Sequence, residues 1–213
     1  VLEDLGYSAG DLLGVDFVFI VEGKQDKSRL PLLLEKYYSE IYNEDGSLSR
    51  ISIITTNSCT NIKTYANLKY MNQVYLKDQF LMIRDGDGRE LVRSLCRYYE
   101  ERNLEDVDCL PRVTSKNVLV LKYYSFENYF LNPEVMARLD ILPKPEDFYK
   151  ILLEKWTEYL HRTRSGRHLI QVLGQNLETE EDIKEHMEEI KIYIRGHDLY
   201  NIFYGPYKKQ ETD

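Results

Sequence analysis

Five carboxylates in this chain stand where chemistry could use them. Glu22 closes the apolar run Asp16–Val21, and Asp26 follows it by four residues. Asp85 and Asp87 flank Gly86 at the end of Gln79–Arg84, and Glu127 lies within Ser125–Leu131, just after Asn117–Tyr123. Carboxylate oxygens are hard donors, and such a set suits Mg2+ or Mn2+. Two ions about 4 Å apart activate a water and neutralise the leaving oxygen of an in-line phosphodiester displacement. The expected metal ligands are therefore Glu22, Asp26, Asp85, Asp87 and Glu127, with Asp26 or Glu127 as an alternative general base. Helix capping competes as an explanation, since Asp26 can cap a first helix and Asp87 a third. Capping does not require acids at the ends of three separate strands, nor an acid pair around a glycine. Gly23, Gly86 and Gly88 permit tight turns and close approach of a phosphodiester.

The elements that must position these acids are legible as alternation. Asp16–Val21 reads as a strand buried on both faces. From Asp26 to Tyr42 the residues Leu30, Leu33, Leu34, Tyr37, Tyr38 and Ile41 mark one helix face, stopped by Asn43-Glu-Asp-Gly46. Arg50–Thr55 is a second strand, Ile62–Tyr75 a second helix, and Gln79–Arg84 a third strand. A third helix follows with Arg89, Arg93 and Arg97 on one side, and Asn117–Tyr123 is a fourth strand. Strands alternating with helices imply crossovers and a mostly parallel sheet flanked by helices, an α/β fold in which ligands sit beyond the carboxyl ends of the strands. After the fourth strand the spacing turns helical, over Pro133–Asp140, Pro145–His161 and Glu180–Ile194. Arg162–Gly174 reads as a basic connection punctuated by glycine.

Composition narrows the classes. The 28 Lys and Arg against 36 Asp and Glu give a net charge of −8, so phosphate affinity must come from local basic clusters or bound metal. Three cysteines without a C-x-x-C pair argue against a disulfide framework or a cysteine-rich zinc site, and point to a reducing cytoplasm. No membrane-spanning run or signal peptide is evident. The chain begins at Val, as a piece of a longer protein would. His161, His168 and His186 have no metal-ligand spacing.

Two motif readings fail on spacing. Asp85-Gly-Asp-Gly88 opens like a calcium loop, but the twelfth place is Cys96 rather than Glu. A dehalogenase-type phosphatase has D-x-D-x-T after its first strand, whereas here Arg89 replaces the Thr and the pair follows the third.

Val21-Glu22-Gly23 with Asp85-Gly86-Asp87 resembles the TOPRIM domain of topoisomerases, primases and nucleases. Val21-Glu-Gly-Lys-Gln-Asp26 and Ser125-Phe-Glu-Asn-Tyr-Phe-Leu131 more closely resemble the OLD (overcoming lysogenization defect) family of nucleases and their DUF4435-type relatives. The resemblance spans about residues 15 to 132. It implies a TOPRIM-type catalytic core over 1–132, with 133–213 a C-terminal helical elaboration of the same domain. It further implies two-metal cleavage of DNA with Mg2+ or Mn2+, in bacterial phage defence. The partner would be an ABC-type ATPase, in the same longer chain or separate. This chain has no G-x-x-x-x-G-K-[ST], so no nucleotide site is expected here. The family's late basic residue, commonly a Lys after Gly, corresponds to Arg195-Gly196-His197. His197, Arg195 or nearby Lys191 would then stabilise the scissile phosphate, with a helix-end role for His197 as the alternative.

Expected nucleic-acid contacts are Lys24, Lys27 and Arg29 beside the first acid, and Arg84, Arg89 and Arg93 beside the pair. Further contacts are Arg162, Arg164, Arg167 and Arg195, with some of the 18 tyrosines stacking on unpaired bases. Arg89, Arg93 and Arg97 also fit a solvated helix face. Three functional alternatives stay open: RNA cleavage, a primase-like task, or a non-catalytic interaction or oligomerisation module, with a homodimer through the helical half.

Overall fold

The structure is a computed structural model. It describes residues 15–37, 42–46, 48, 50–55, 79–87, 97–98, 100–102, 104–105 and 115–210, without the side chains of Lys24, Ser115 and 207–210. The second helix expected over Ile62–Tyr75, the start of the third, and all three cysteines lie outside these residues. The chain divides into two compact units: Val1–Arg84 with Arg93–Val120, and Asp85–Val92 with Leu121–Asp213.

The first unit is α/β. Its strands β1 (Phe17–Val21), β2 (Ile51–Thr55), β3 (Phe80–Arg84) and β4 (Val118–Val120) form a four-stranded sheet in the order β2-β1-β3-β4. Every pairing is parallel, with Val18 opposite Ser52 and Phe80, and Ile20 opposite Ile54 and Met82. Helix α1 (Lys24–Tyr37) follows β1, and Pro31 lies inside it without ending it. Its Leu30 packs on Val21 and Ile53, with Leu34, Phe19 and Ile83 around them. Alternation along the strands sends Val18, Ile20, Ile54, Phe80 and Met82 to the opposite face, and all of them are buried. Burial on both faces is what continuous apolar strands require.

β4 is shorter than the run Asn117–Tyr123 suggests. Asn117 lies in a 3₁₀ turn and donates its carboxamide to Phe80 O at 3.2 Å. Beyond Val120 the amides turn to other acceptors: Lys122 N–H to the Tyr129 hydroxyl at 2.8 Å, and Tyr124 N–H to Lys191 O at 2.9 Å. Ladder pairing ends because these donors are diverted.

The second unit is helical from residue 133 on. Its helices are α2 (Pro133–Arg138), α3 (Asp147–Glu158), α4 (Arg164–Leu173), α5 (Glu180–Glu185), α6 (Met187–Tyr193) and α7 (Gly196–Gln210), preceded by a 3₁₀ turn over Phe126–Phe130. Trp156, Leu160, Leu169, Ile183, Ile190 and Leu199 belong to one buried core, and Phe148 stacks on Phe203 with ring centroids 4.4 Å apart. Two expectations change here. Arg162–Gly174 is not a connection, because Thr163 Oγ1 caps α4 by accepting Gly166 N–H at 2.9 Å and Gly174 closes it at φ 71°. Gly166 marks crowding rather than a loop, since a Cβ there would lie 2.0 Å from Leu160 O. Glu180–Ile194 is two helices, broken at His186. Among the described residues no helix is long and apolar enough to cross a membrane.

The start of α5 carries a pH dependence. Asp182 Oδ2 accepts N–H groups from Thr179 at 2.8 Å and Glu178 at 2.9 Å, while Thr179 Oγ1 accepts Asp182 N–H. These donors, the Glu178 amide first, hold the Asp182 carboxyl below its ordinary 3.8. A lowered folded-state pKa adds stability that is fully present above the unfolded value and is lost as pH falls through the folded one. Thermal melts between pH 5 and 2 should therefore show Asp182→Asn less stable than the parent at pH 5, with the difference shrinking toward pH 2.

Candidate functional site

Each unit contributes its own cluster. In the first, the chain leaves β1 at Val21 and enters Glu22, whose Oε1 pairs with Nε of Arg84, the last residue of β3. Both side chains are largely covered, 27% and 18% exposed, so the pair is desolvated enough for its geometry to be held. Parallel pairing of β1 with β3 brings the two strand ends, and hence this acid and this base, together. Asp26 lies in the first turn of α1, where its Oδ2 accepts the Gly23 N–H at 3.0 Å. That contact serves the start of the helix, as the capping alternative expects. Lys27 is exposed and Arg29 half-buried along α1; the Lys24 side chain lies outside the described residues.

In the second unit the loop Asp85-Gly86-Asp87 lies against Leu121–Tyr124. Asp87 N–H donates to Tyr124 O at 3.0 Å, and a Cβ on Gly86 would stand 2.2 Å from Tyr123 O and 2.8 Å from Leu121 O. Backbone cannot yield as a side chain can, so only glycine fits between the two acids. Asp85 is half-buried, whereas Asp87 is exposed and holds φ 39°, a left-handed conformation that Asp tolerates better than most residues. Arg89 and Arg93 lie outside the described residues.

Two motifs distant in sequence meet around Asn128. This side chain is fully buried, and its Nδ2 donates to Lys191 O and Ile194 O, each at 2.9 Å. Those carbonyls end α6, so Asn128 satisfies acceptors that the helix itself leaves over. Ser125 Oγ lies 2.8 Å from Glu127 Oε2 and 2.9 Å from Asn128 Oδ1. Gly196 closes the arrangement, because a Cβ there would come within 2.0 Å of Ser125 Oγ and 2.1 Å of Asn128 Oδ1. The Glu127 motif and Arg195-Gly196-His197 are thus held together.

Around this junction the basic residues separate by role. Arg195 is exposed between α6 and α7, and His197, in the first turn of α7, contacts Asn201 Nδ2 at 3.0 Å through Nε2. Lys191 Nζ lies 5.4 Å from the Tyr123 ring centroid, with Lys122 Nζ at 5.1 Å on the same ring. Burial first, and the Lys122 charge, push the Lys191 ammonium below its ordinary range, while Glu188 opposes the shift. Glu188 is itself paired with Lys122 and accepts the Tyr123 hydroxyl at 2.9 Å. Arg162 donates to Glu158 O at the end of α3, a capping role. Arg164 and Arg167 are exposed on the first turns of α4.

Tyr124, Ser125 and Asn128 carry this geometry and were not singled out from sequence. Asn128 was visible only as a member of the Ser125–Leu131 motif, since its acceptors lie more than sixty positions away. The donor chemistry of Glu22, Asp85, Asp87 and Glu127 suits a hard cation. Among the described residues, however, no group of three or more His, Cys, Asp or Glu side chains is placed to hold a metal ion.

These features define an α/β protein with an all-parallel sheet and acids at its strand ends. Compared with family models, with curated proteins and with solved structures, the chain matches none.

The Asn128 junction has a measurable strength. Asn128→Leu keeps the volume but takes the Asn128 donor from the buried Ile194 carbonyl and leaves Lys191 O with the Tyr124 N–H alone, and should cost about 2 kcal/mol in urea unfolding. Gly196→Ala should destabilise to a similar degree through overpacking against Ser125 and Asn128. An unfolding midpoint unchanged in both variants would contradict this reading.

Proposed function

We propose that the chain is a TOPRIM-type nuclease domain that cleaves DNA phosphodiesters with Mg2+ or Mn2+, working with an ATPase partner. The observation that carries this reading is topological. β1 and β3 are adjacent and parallel, Glu22 follows the last residue of β1, and Asp85-Gly86-Asp87 follows the last residue of β3. Neighbouring parallel strands deliver their carboxyl ends to one edge, the usual place for ligands in such sheets.

In this reading the metal ligands are Glu22 and Asp26 of the first unit and Asp85, Asp87 and Glu127 of the second. Bound metal supplies Lewis acidity and a water of lowered pKa. The protein's own groups do the rest. Arg84 matches the charge of Glu22 in the ion-free protein and keeps the carboxylate oriented. Gly86 lets the acid loop lie tight against Tyr123, and Asn128 with Gly196 fixes Arg195 and His197 beside the Glu127 turn. Arg195, His197 or nearby Lys191 would stabilise the scissile phosphate. Lys27, Arg29, Arg164 and Arg167 are further contacts to the backbone phosphates of the substrate.

The Glu22–Arg84 pair also favours a second reading, a binding module that engages nucleic acid without cutting it, because the arginine already satisfies the acid.

Incubation with supercoiled plasmid and Mg2+ or Mn2+ separates the two. The nuclease reading expects nicked or linear product that disappears with EDTA and falls by about a hundredfold or more in Glu22→Gln and Asp85→Asn. Product that persists in both variants would refute it, and no product with retained DNA binding would favour the binding module.

A further inference from the structure

Arg84 is the last residue of β3, and Glu22 is the first beyond β1. The register sets Ile20 opposite Met82, so each of the two charged residues stands two positions past a matched pair and on the same face of the sheet. Their ion pair joins Glu22 Oε1 to Arg84 Nε. Its surroundings set it apart from pairs on the surface. Arg50–Asp16 and Lys122–Glu188 are more than half exposed on both sides, the setting in which an ion pair contributes little, whereas Glu22 and Arg84 are both largely covered. A covered carboxylate and guanidinium hold each other firmly, and separating them leaves each charge in need of another partner.

Both residues stand at the carboxyl end of a parallel sheet, the edge where ligands bind. Each has a stronger partner available there. A carboxylate is matched by the two charges of a hard cation, and a guanidinium by the paired oxygens of a phosphate. We propose that Arg84 is an exchangeable counter-ion: it holds Glu22 in the ion-free protein and passes to a phosphate of the nucleic acid when Glu22 takes up a divalent cation. The exchange couples the two ligands. Metal favours the state in which Arg84 is free for phosphate, and by linkage nucleic acid favours the state in which Glu22 is free for metal. This exchange rests on the proposed reading of Glu22 as a metal ligand and adds to it how one ligand prepares the site for the other.

The test has two arms, neither of which involves cleavage. In the first, Mn2+ is titrated into the ion-free protein by calorimetry with no nucleic acid present. Arg84→Gln, which can still hydrogen-bond to Glu22, should bind Mn2+ about tenfold more tightly than the parent, with Arg84→Lys between them. Loss of a nearby positive charge would do as much, so the second arm reads the release of Arg84 itself. Binding of a fluorescein-labelled DNA duplex is followed by anisotropy in EDTA. Glu22→Gln should bind the duplex about fivefold more tightly than the parent, because no charge then holds Arg84, and the gain should vanish when Arg84→Gln is added. Glu44→Gln, at an exposed acid, controls for net charge and should leave binding unchanged. Should Arg84→Gln fail to fold, Arg84→Lys carries the first arm, and Glu22→Gln against Glu44→Gln the second.

Tighter Mn2+ binding without Arg84, together with a duplex gain in Glu22→Gln that depends on Arg84, supports the exchange. Mn2+ binding that is unchanged or weaker in Arg84→Gln overturns it and leaves the nuclease reading in place. A duplex gain that is absent, that survives the loss of Arg84, or that is equalled by Glu44→Gln does the same. If both arms hold but the parent leaves supercoiled plasmid intact with Mg2+ or Mn2+, the nuclease reading fails and the exchange stands. No Mn2+ binding in either the parent or Arg84→Gln overturns both.

Discussion

Two carbonyls at the end of a helix need donors, and the fully buried carboxamide of Asn128 reaches both. From that requirement follows much of the second unit. The carboxamide fixes the end of α6 against the Phe126–Phe130 turn. The chain must then pass so close to Ser125 and Asn128 that residue 196 has no room for a side chain. Arg195 and His197 owe their position to that passage, and Glu127 owes its to the hydroxyl of Ser125. Buried polar contacts of this kind are costly when incomplete, which makes the junction a rigid reference point rather than a hinge.

Tyr124 extends the same reference point in the other direction. Its N–H is fixed to Lys191 O, and its carbonyl fixes Asp87. A helix end, a 3₁₀ turn and an acidic loop therefore share one backbone connection, and the glycine between Asp85 and Asp87 is the condition for their close approach. In the first unit a separate constraint acts. The parallel register of β1 and β3 brings Glu22 to Arg84, so an acid and a base come together because two strands end side by side.

What the sequence made legible follows from the range of the forces involved. β1, β2 and β3 were readable because continuous apolar runs ending in Gly and Asp are local signals. The four-stranded parallel sheet followed from their alternation with helices. β4 was overextended, because residues 121–123 look like strand, whereas the Lys122 amide goes to the Tyr129 hydroxyl and that of Tyr124 to Lys191 O. α4 was missed because Gly166 reads as a breaker, when it is a packing requirement set by Leu160 O. α7 was missed because Gly205 and Pro206 dilute a pattern whose core contacts are Leu199 and Phe203. The acids at the strand ends were readable by position. The pairing of Glu22 with Arg84 was not, since it depends on strand order, and neither was the role of Asn128, which depends on a distant helix end. Arg84, an expected nucleic-acid contact, also pairs with Glu22 through its guanidinium.

The central proposal is that Glu22, after β1, and Asp85, after β3, are both needed for binding of divalent metal. Titration of Mn2+ into the ion-free protein by calorimetry tests it most directly, with Glu22→Gln and Asp85→Asn beside the parent. The account predicts saturable binding in the parent that is lost or weakened at least tenfold in each variant. Binding equal in all three proteins, or no binding in the parent, would contradict it.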